Sequence, residues 1–450
     1  MRFLSILIAF FCVIGFMSGC QPTPEENIVI QPLDAEKIPT AEPEAPEASV
    51  SYQVVDRWVE TFKPYDFITC SIDAAIEMPD TNTYPTILVQ SAQLNLADFQ
   101  TFEHVLAPEA TGVRIDTPTK EELMTQLANV QKGMVQYDPQ GKPYWTSYKG
   151  QEEDIQRLKE EIDAALPETY DDPAQMEFIW PGAYCYQMPD GSKCRIRGSD
   201  ESINYSNHGG MIQTESIVIS GGYPGEPEGT TLQNVQLSQE AAVSIANETL
   251  QELNITNLGL AEIEKARIIM NYTYEVISEG WYLIFTRNDG NRFPTYYGKY
   301  YTNLLSFDTE RFSAPLMNEQ LRLFVDETGI RELSWLNPLE TVSIPAENSI
   351  LMPFAQVQER VKQALKIGLA WINEDKQNSD WAEKFTIHSM KLSNSIVPVL
   401  DHTEHGLIVP TWVIEYSNEF FLEKGSANSV LCINAIDGSF VDPNYAYFAE

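Results

Sequence analysis

Few stretches of this 450-residue sequence combine residue types and spacing able to do chemistry. Asp401-His402-Thr403-Glu404-His405 is the run best suited to a metal, because two imidazoles three residues apart with flanking carboxylates can hold zinc or another divalent ion weakly from a loop. No third ligand follows at a matching spacing, and Gly406 beside the run suits a hairpin tip, so His402 and His405 read as parts of a solvated turn sooner than as a metal site. Cys185 and Cys194 flank Met188-Pro189-Asp190-Gly191, which is hairpin chemistry. A two-residue loop at Pro189-Asp190 would set the two thiols opposite each other and permit a disulfide, whereas a loop with a G1 bulge would put them out of register. Cys70 and Cys432 lie in strand-like apolar runs and read as buried thiols. Phe293, Tyr296, Tyr297, Tyr300 and Tyr301 crowd a segment broken by Pro294 and Gly298. Such a loop offers rigid contact area to a protein or stacking faces to a sugar, or else its tyrosines pack alternately on a sheet.

Nucleophile and nucleotide motifs are absent from the sequence: it contains no Gly-x-Ser-x-Gly, Ser-x-x-Lys, His-Glu-x-x-His, Walker loop or dinucleotide glycine fingerprint. A carboxylate pair for glycoside hydrolysis needs only proximity in space, and 65 Asp and Glu leave that chemistry open as a third reading. No cofactor is expected. The 65 acids face only 29 Lys and Arg, giving a formal net charge of −36. That balance argues against nucleic acid as a partner, since no basic stripe exists to neutralise phosphates. It also argues against electrostatic docking on an anionic membrane face.

Membrane association is instead written at the start of the chain. Arg2 precedes an apolar stretch from Phe3 to Phe16, followed by Met17-Ser18-Gly19-Cys20. The charged residue, short apolar stretch and small residues before Cys resemble a bacterial lipobox. The resemblance implies that residues 1–19 are a signal peptide and that Cys20 becomes the diacylglycerol-modified N-terminus on the extracytoplasmic face of the cell membrane. An uncleaved signal anchor is the alternative. Residues 20–50 follow as the lipidated cysteine and a tether, with Pro22, Pro24, Pro32, Pro39, Pro43 and Pro46, and seven acids opposed by Lys37 alone. Such a composition stays extended and disordered, and at ~3.1 Å per residue could reach roughly 90 Å.

The elements that must position the remaining candidates begin near residue 51. Phe67–Met78 alternates as a strand, Pro79-Asp80-Thr81-Asn82 supplies a turn, and Thr86–Leu94 reads as its hairpin partner. Helices are predicted over Leu96–Leu106, behind the Thr119–Glu122 capping box, and over Gln151–Leu166. Strands and turns fill 176–235, so residues 51–235 read as one α+β domain. The rest looks duplicated: a helix from Ser238 to Leu253 and then strands as far as Trp335, and a helix from Phe354 to Trp371 and then strands to 436. Each copy closes on a glycine turn, Asp326-Glu327-Thr328-Gly329 in one and Ile436-Asp437-Gly438 in the other. The expected fold is α+β, with antiparallel sheets each packed against one or two helices and duplicated units over 236–345 and 346–450.

Ser238-Gln239-Glu240-Ala241-Ala242 opening a helix, Val409-Pro410-Thr411-Trp412, and Ile433 to Ser439 together resemble a PepSY-type unit. The tandem form is similar to extracytoplasmic parts of the YycH/YycI class of histidine-kinase regulators. Thr117–Leu123, Trp281–Gly290, Gly329–Pro338, Ser349–Phe354 and 431–439 also resemble a clostridial-type lipoprotein family of unknown function. The resemblances imply a lipid-anchored, non-enzymatic binding or regulatory module with an envelope protein as partner, and bring no catalytic residue. The second reading is a lipoprotein that binds peptide or cell-wall glycan.

Overall fold

The computed structural model of the protein describes residues 38, 54–66, 68–137, 143–165, 167–207, 215–219, 232, 235–270, 276–288, 295–296, 316–369, 384–400, 402–418 and 429–441. Along the chain run β1 (Arg57–Tyr65), β2 (Ile68–Glu77), β3 (Thr86–Ser91), α1 (Leu96–Leu106), β4 (Gly112–Ile115), α2 (Lys120–Lys132), β5 (Met134–Tyr137), β6 (Pro143–Thr146) and α3 (Gln151–Ala164). Then come β7 (Gly182–Gln187), β8 (Lys193–Ser199), β9 (Ser202–Ser206), β10 (Glu215–Ile219), α4 (Gln239–Glu252), β11 (Leu258–Met270) and β12 (Val276–Arg287). The remaining elements are β13 (Gln320–Asp326), β14 (Gly329–Leu336), β15 (Leu339–Ala346), α5 (Phe354–Gly368), β16 (Lys384–Val399), β17 (His402–Asn418), β18 (Ser429–Asn434) and β19 (Phe440–Val441).

These elements form two compact units. The first takes Met1–Val89, Gly298–Leu316 and Thr341–Glu450, and the second takes Gln90–Tyr297 and Met317–Glu340. In the eight-stranded sheet the order is β1-β2-β16-β17-β18-β19, and β3 pairs with both β15 and β17. The β2–β16 pairing is parallel, while β1–β2, β16–β17 and β17–β18 are antiparallel. Every residue from Gly406 to Ile414 on β17 is buried. Neighbours on a strand point to opposite faces, so both faces of β17 are covered, which accounts for its nearly continuous apolar run. Helix α5 contributes Val357, Val361, Ala364 and Leu365 from one stripe, and Phe354 packs on Trp412 with ring centroids 5.4 Å apart.

The nine-stranded sheet has the order β10-β11-β12-β13-β14-β9-β8-β7-β4. One face is apolar: Tyr184, Tyr186, Cys194, Ile196, Ile203, Tyr205, Leu321, Leu323 and Leu333 meet Phe99 and Phe102 of α1 and Ala242, Ala246 and Leu250 of α4. Helices α2 and α3 pack against each other. The fold is thus α+β with antiparallel-dominated sheets. The capping box appears as read: Thr119 Oγ1 accepts from Glu122 N (3.2 Å) and Thr119 N donates to Glu122 Oε2 (2.8 Å).

A helix followed by an antiparallel meander occurs twice, as α4 with β11–β14 and α5 with β16–β19. Their closing turns use the same device. Asp326 Oδ1 accepts from the N–H and hydroxyl of Thr328, Asp437 Oδ1 accepts likewise from Ser439, and Gly329 and Gly438 take positive φ of 112° and 76°.

Two expectations about connectivity change. The boundary at 235/236 falls inside the nine-stranded sheet, because β9 pairs with β14, joining 51–235 material to the first copy. The segment before Val89 instead joins the second copy, through β2 on β16. Strands β2 and β3 are not hairpin partners: β2 lies between β1 and β16. Strand β16 pairs with β17 on one edge, and on the other seven registered pairs between Lys384 and Lys391 satisfy its backbone groups with β2.

Candidate functional site

The second unit contains a cavity of about 410 Å³, built from three stretches of chain. The first is the loop at Ala92–Asn95 with the start of α1, the second is the end of α4, and the third is Trp335 with Pro338-Leu339. The loop is pinned by Ala92 N to Pro338 O (2.8 Å) and Leu94 N to Asp200 O (3.0 Å). Helix α1 opens with a capping box in which Asn95 Oδ1 accepts from Ala97 N (2.8 Å) and Asn95 N donates to Asp98 Oδ2 (2.9 Å). Helix α4 ends at Leu253, and Asn254 reverses the chain at φ 59° so that Ile255 N reaches back to Leu250 O (2.8 Å).

Phe102 and Trp335 form one aromatic wall, stacked at 5.9 Å with an interplanar angle of 8°. Behind it sits a buried relay. Trp335 Nε1 donates to Glu319 Oε1 (3.0 Å), Arg287 Nη1 meets Glu319 Oε2 (3.1 Å), and Arg287 also donates to the carbonyl of Leu339. Glu319 is 1% exposed, and that burial pushes its carboxyl up to about 7 despite the opposing Arg287 charge. The relay fixes the indole on one side and the Leu339 backbone on the other, so two cavity walls share one buried ion pair.

A second polar cluster lies on the opposite face of the same sheet. Strand register lines up Arg114, Cys185, Arg195 and Ser206 across β4, β7, β8 and β9. Arg195 Nε bonds Asp116 Oδ1 (3.0 Å), and its Nη2 bonds Glu122 Oε1. Arg197 Nη2 takes Asp116 Oδ2 (2.8 Å). Arg114 donates to the carbonyls of Ile115 and Thr117, lies 5.7 Å from the Tyr170 ring centroid, and faces Glu168. Burial would raise the Glu168 carboxyl, yet hydrogen bonds from Lys193 and Tyr170 bring it below its ordinary value. Glu122 therefore serves twice, capping α2 with one oxygen and pairing Arg195 with the other. The acids here are held by arginine or lysine, which suits a clamp on the sheet better than proton transfer.

The candidates from sequence fall as follows. The hairpin carrying Cys185 and Cys194 turns at Gly191 with φ 85°, and Met188 N donates to Ser192 O (2.9 Å), so the loop is the bulged one. Cys185 pairs with Arg195 and Tyr186 with Cys194, which sends the two thiols to opposite faces, and neither is bridged. This corrects the disulfide alternative. Burial pushes the Cys194 thiol up to about 12 and raises that of Cys185, whose Sγ lies 3.7 Å from the Tyr170 hydroxyl. Cys70 and Cys432 are buried as read and lie in no disulfide, and burial pushes Cys70 up to about 12.

Of the aromatic loop, Phe293, Tyr297, Tyr300 and Tyr301 lie outside the described residues. Tyr296 is half-buried next to Thr295, whose N and hydroxyl both donate to Arg287 O (2.9 and 3.1 Å). His402 and His405 are strand residues of β17 rather than loop residues, with Val399 of β16 paired to His402. Among the described residues no three His, Cys, Asp or Glu gather as a metal site. Cys20 lies outside the described residues. The cavity itself escaped the sequence reading, although Asn254 after an apolar helical pattern and the Asn337-Pro338 dipeptide are both reversal signals.

No family model matches the chain, and no curated protein matches it. Among solved structures, the chain is similar to an uncharacterized protein from Eubacterium rectale ATCC 33656, at 13% identity and a TM-score of 0.42, over 86% of this chain and 94% of that one.

Proposed function

We propose that the protein is an extracytoplasmic lipoprotein, anchored in the cell membrane through Cys20, that works as a non-enzymatic binding or regulatory module on an envelope protein. The observation that carries this reading is the Met17-Ser18-Gly19-Cys20 box behind an apolar stretch and ahead of a proline- and glutamate-rich tether. The lipid raises the local concentration for a membrane partner, and the tether sets its reach. In the folded part, the buried acids Asp116 and Glu319 are tied into ion pairs that hold walls and strands.

In-cell crosslinking of the lipidated protein, with affinity capture and mass spectrometry, tests the reading. A single membrane partner should be recovered reproducibly from the wild type and lost from Cys20→Ala; recovery of none would overturn the partner reading. Deleting residues 238–450 is unsuitable as a control, because it removes strands from both sheets. The cavity favours the second reading, a lipoprotein that binds peptide or cell-wall glycan, taken as a small ligand: its size lies within the range of small-molecule sites, about 300–1,000 Å³.

A further inference from the structure

We infer that the cavity between α1, the end of α4 and Trp335 binds a neutral, hydroxyl-rich ligand of the mono- or disaccharide class. The inference rests on the small-ligand reading of the same cavity and goes beyond it by naming the ligand chemistry and the groups that select it.

Charge decides the first part. Asp98 is the one ionisable residue in the lining, and no lysine, arginine or histidine accompanies it. In a protein of net charge −36, an anionic ligand would enter against the field and meet no counter-ion. Phosphates, carboxylates and the acidic wall polymers are therefore poor fits.

The polar groups decide the second. Gln93, Asn254 and Asn257 bring three side-chain amides to the cavity, and among the described residues none of these amides has a hydrogen-bond partner. Each amide both donates and accepts, which matches a hydroxyl, itself donor and acceptor. Asp98 has one oxygen committed to the Asn95 N–H and a second oxygen able to accept. The apolar part complements this. The half-buried Trp335 ring, stacked from behind by the buried Phe102, offers the surface on which the C–H face of a pyranose packs.

Backbone strain points to the same place. Among the described residues, Asn254 (φ 59°) and Asn337 (φ 50°) are the two non-glycine residues with positive φ. The first lines the cavity, and the second lies between the lining residues Trp335 and Pro338. Glycine is the usual occupant of the position after a helix, and it would fit there without strain. Asparagine at 254 keeps an amide at the cavity mouth at the expense of that ease.

The test uses the full-length chain in a detergent without a sugar headgroup. It is titrated calorimetrically with glucose, maltose, N-acetylglucosamine and its β-1,4 dimer, and with glucuronate and a neutral tripeptide for contrast. At least one neutral saccharide should bind, glucuronate should bind at least tenfold more weakly than glucose or not at all, and Asn254→Gly should weaken the saccharide at least tenfold while leaving the melting temperature unchanged or higher. Trp335→Ala should abolish binding; because it also removes a packed ring, Asn257→Ala serves as the second variant, with a loss of several-fold. Saccharide binding untouched by Asn254→Gly and Asn257→Ala would overturn the inference. Tripeptide binding sensitive to Asn254→Gly, without saccharide binding, would overturn the ligand class and leave the small-ligand reading standing. No binding by any probe would remove both.

Discussion

The two units solve the burial of a β-sheet in different ways. In the eight-stranded sheet, β17 is buried residue after residue from Gly406 to Ile414, and its inward groups on both faces are overwhelmingly apolar. In the nine-stranded sheet, β8 alternates Cys194, Arg195, Ile196 and Arg197: the first and third enter the core with α1 and α4, while the second and fourth enter an ionic lattice with Asp116 and Glu122. Arg195 is nevertheless only 2% exposed. A face can thus be closed by charge, but a buried charge that loses its partner there costs more than an imperfectly packed apolar neighbour. Arginine suits the closed face because its planar fork reaches two carboxylates at once.

The comparison sets an order of mutational effects. Trp412→Ala, in the doubly covered sheet, removes the largest fully buried side chain among the described residues and should cost about 3–5 kcal/mol in denaturant unfolding. Arg195→Met should cost a similar amount, about 3–5 kcal/mol, although it swaps a charge for an apolar chain, because Asp116 and Glu122 lose a buried partner. A cost below about 1 kcal/mol for Arg195→Met would show the lattice to be solvated and break the contrast. Arg197, whose side chain is 39% exposed and shares Asp116 with Arg195, should cost below about 1 kcal/mol on change to Ala.

Between these lies Glu319, the carboxyl buried behind the apolar face. Burial pushes its folded-state carboxyl up to about 7, above the ~4.3 of an unfolded glutamate. Between these values the folded form holds a proton that the unfolded form has lost. Stability from this group is therefore full below the lower value and falls as pH rises through the upper one. Relative to Glu319→Gln, the wild type should lose up to roughly 3 kcal/mol between pH 4 and pH 8. Parallel stability curves for the two proteins would mean that Arg287 keeps Glu319 ionised throughout.

Local features of this fold were readable and distant pairings were not. Helix α1 has the span its apolar spacing and Pro108 imply, and Thr119 and Glu122 close the box that their spacing announces. Alternation in Lys193-Cys194-Arg195-Ile196-Arg197 already carries the two faces of β8. Nothing local tells Ser334 that it will face Asn204, or Ile387 that it will face Ile72, and these pairings set the unit boundaries. The fate of Cys185 and Cys194 turned on one conformational choice, the positive φ of Gly191, which shifts register by one residue and flips a side chain to the other face. The cavity was hidden for the same reason: Asp98, Asn254 and Trp335 meet only after the sheet and both helices are assembled.

Attachment at Cys20 underlies the whole functional reading, and one measurement addresses it directly. Cells expressing the wild type and Cys20→Ala would be fed a clickable palmitate analogue, fractionated, and the protein recovered from membrane and soluble fractions. The wild type should carry the label and stay with the membrane, and Cys20→Ala should be unlabelled and released from it. An unlabelled wild type that remains in the membrane fraction would contradict the lipid anchor and point to an uncleaved apolar segment between Phe3 and Phe16 instead.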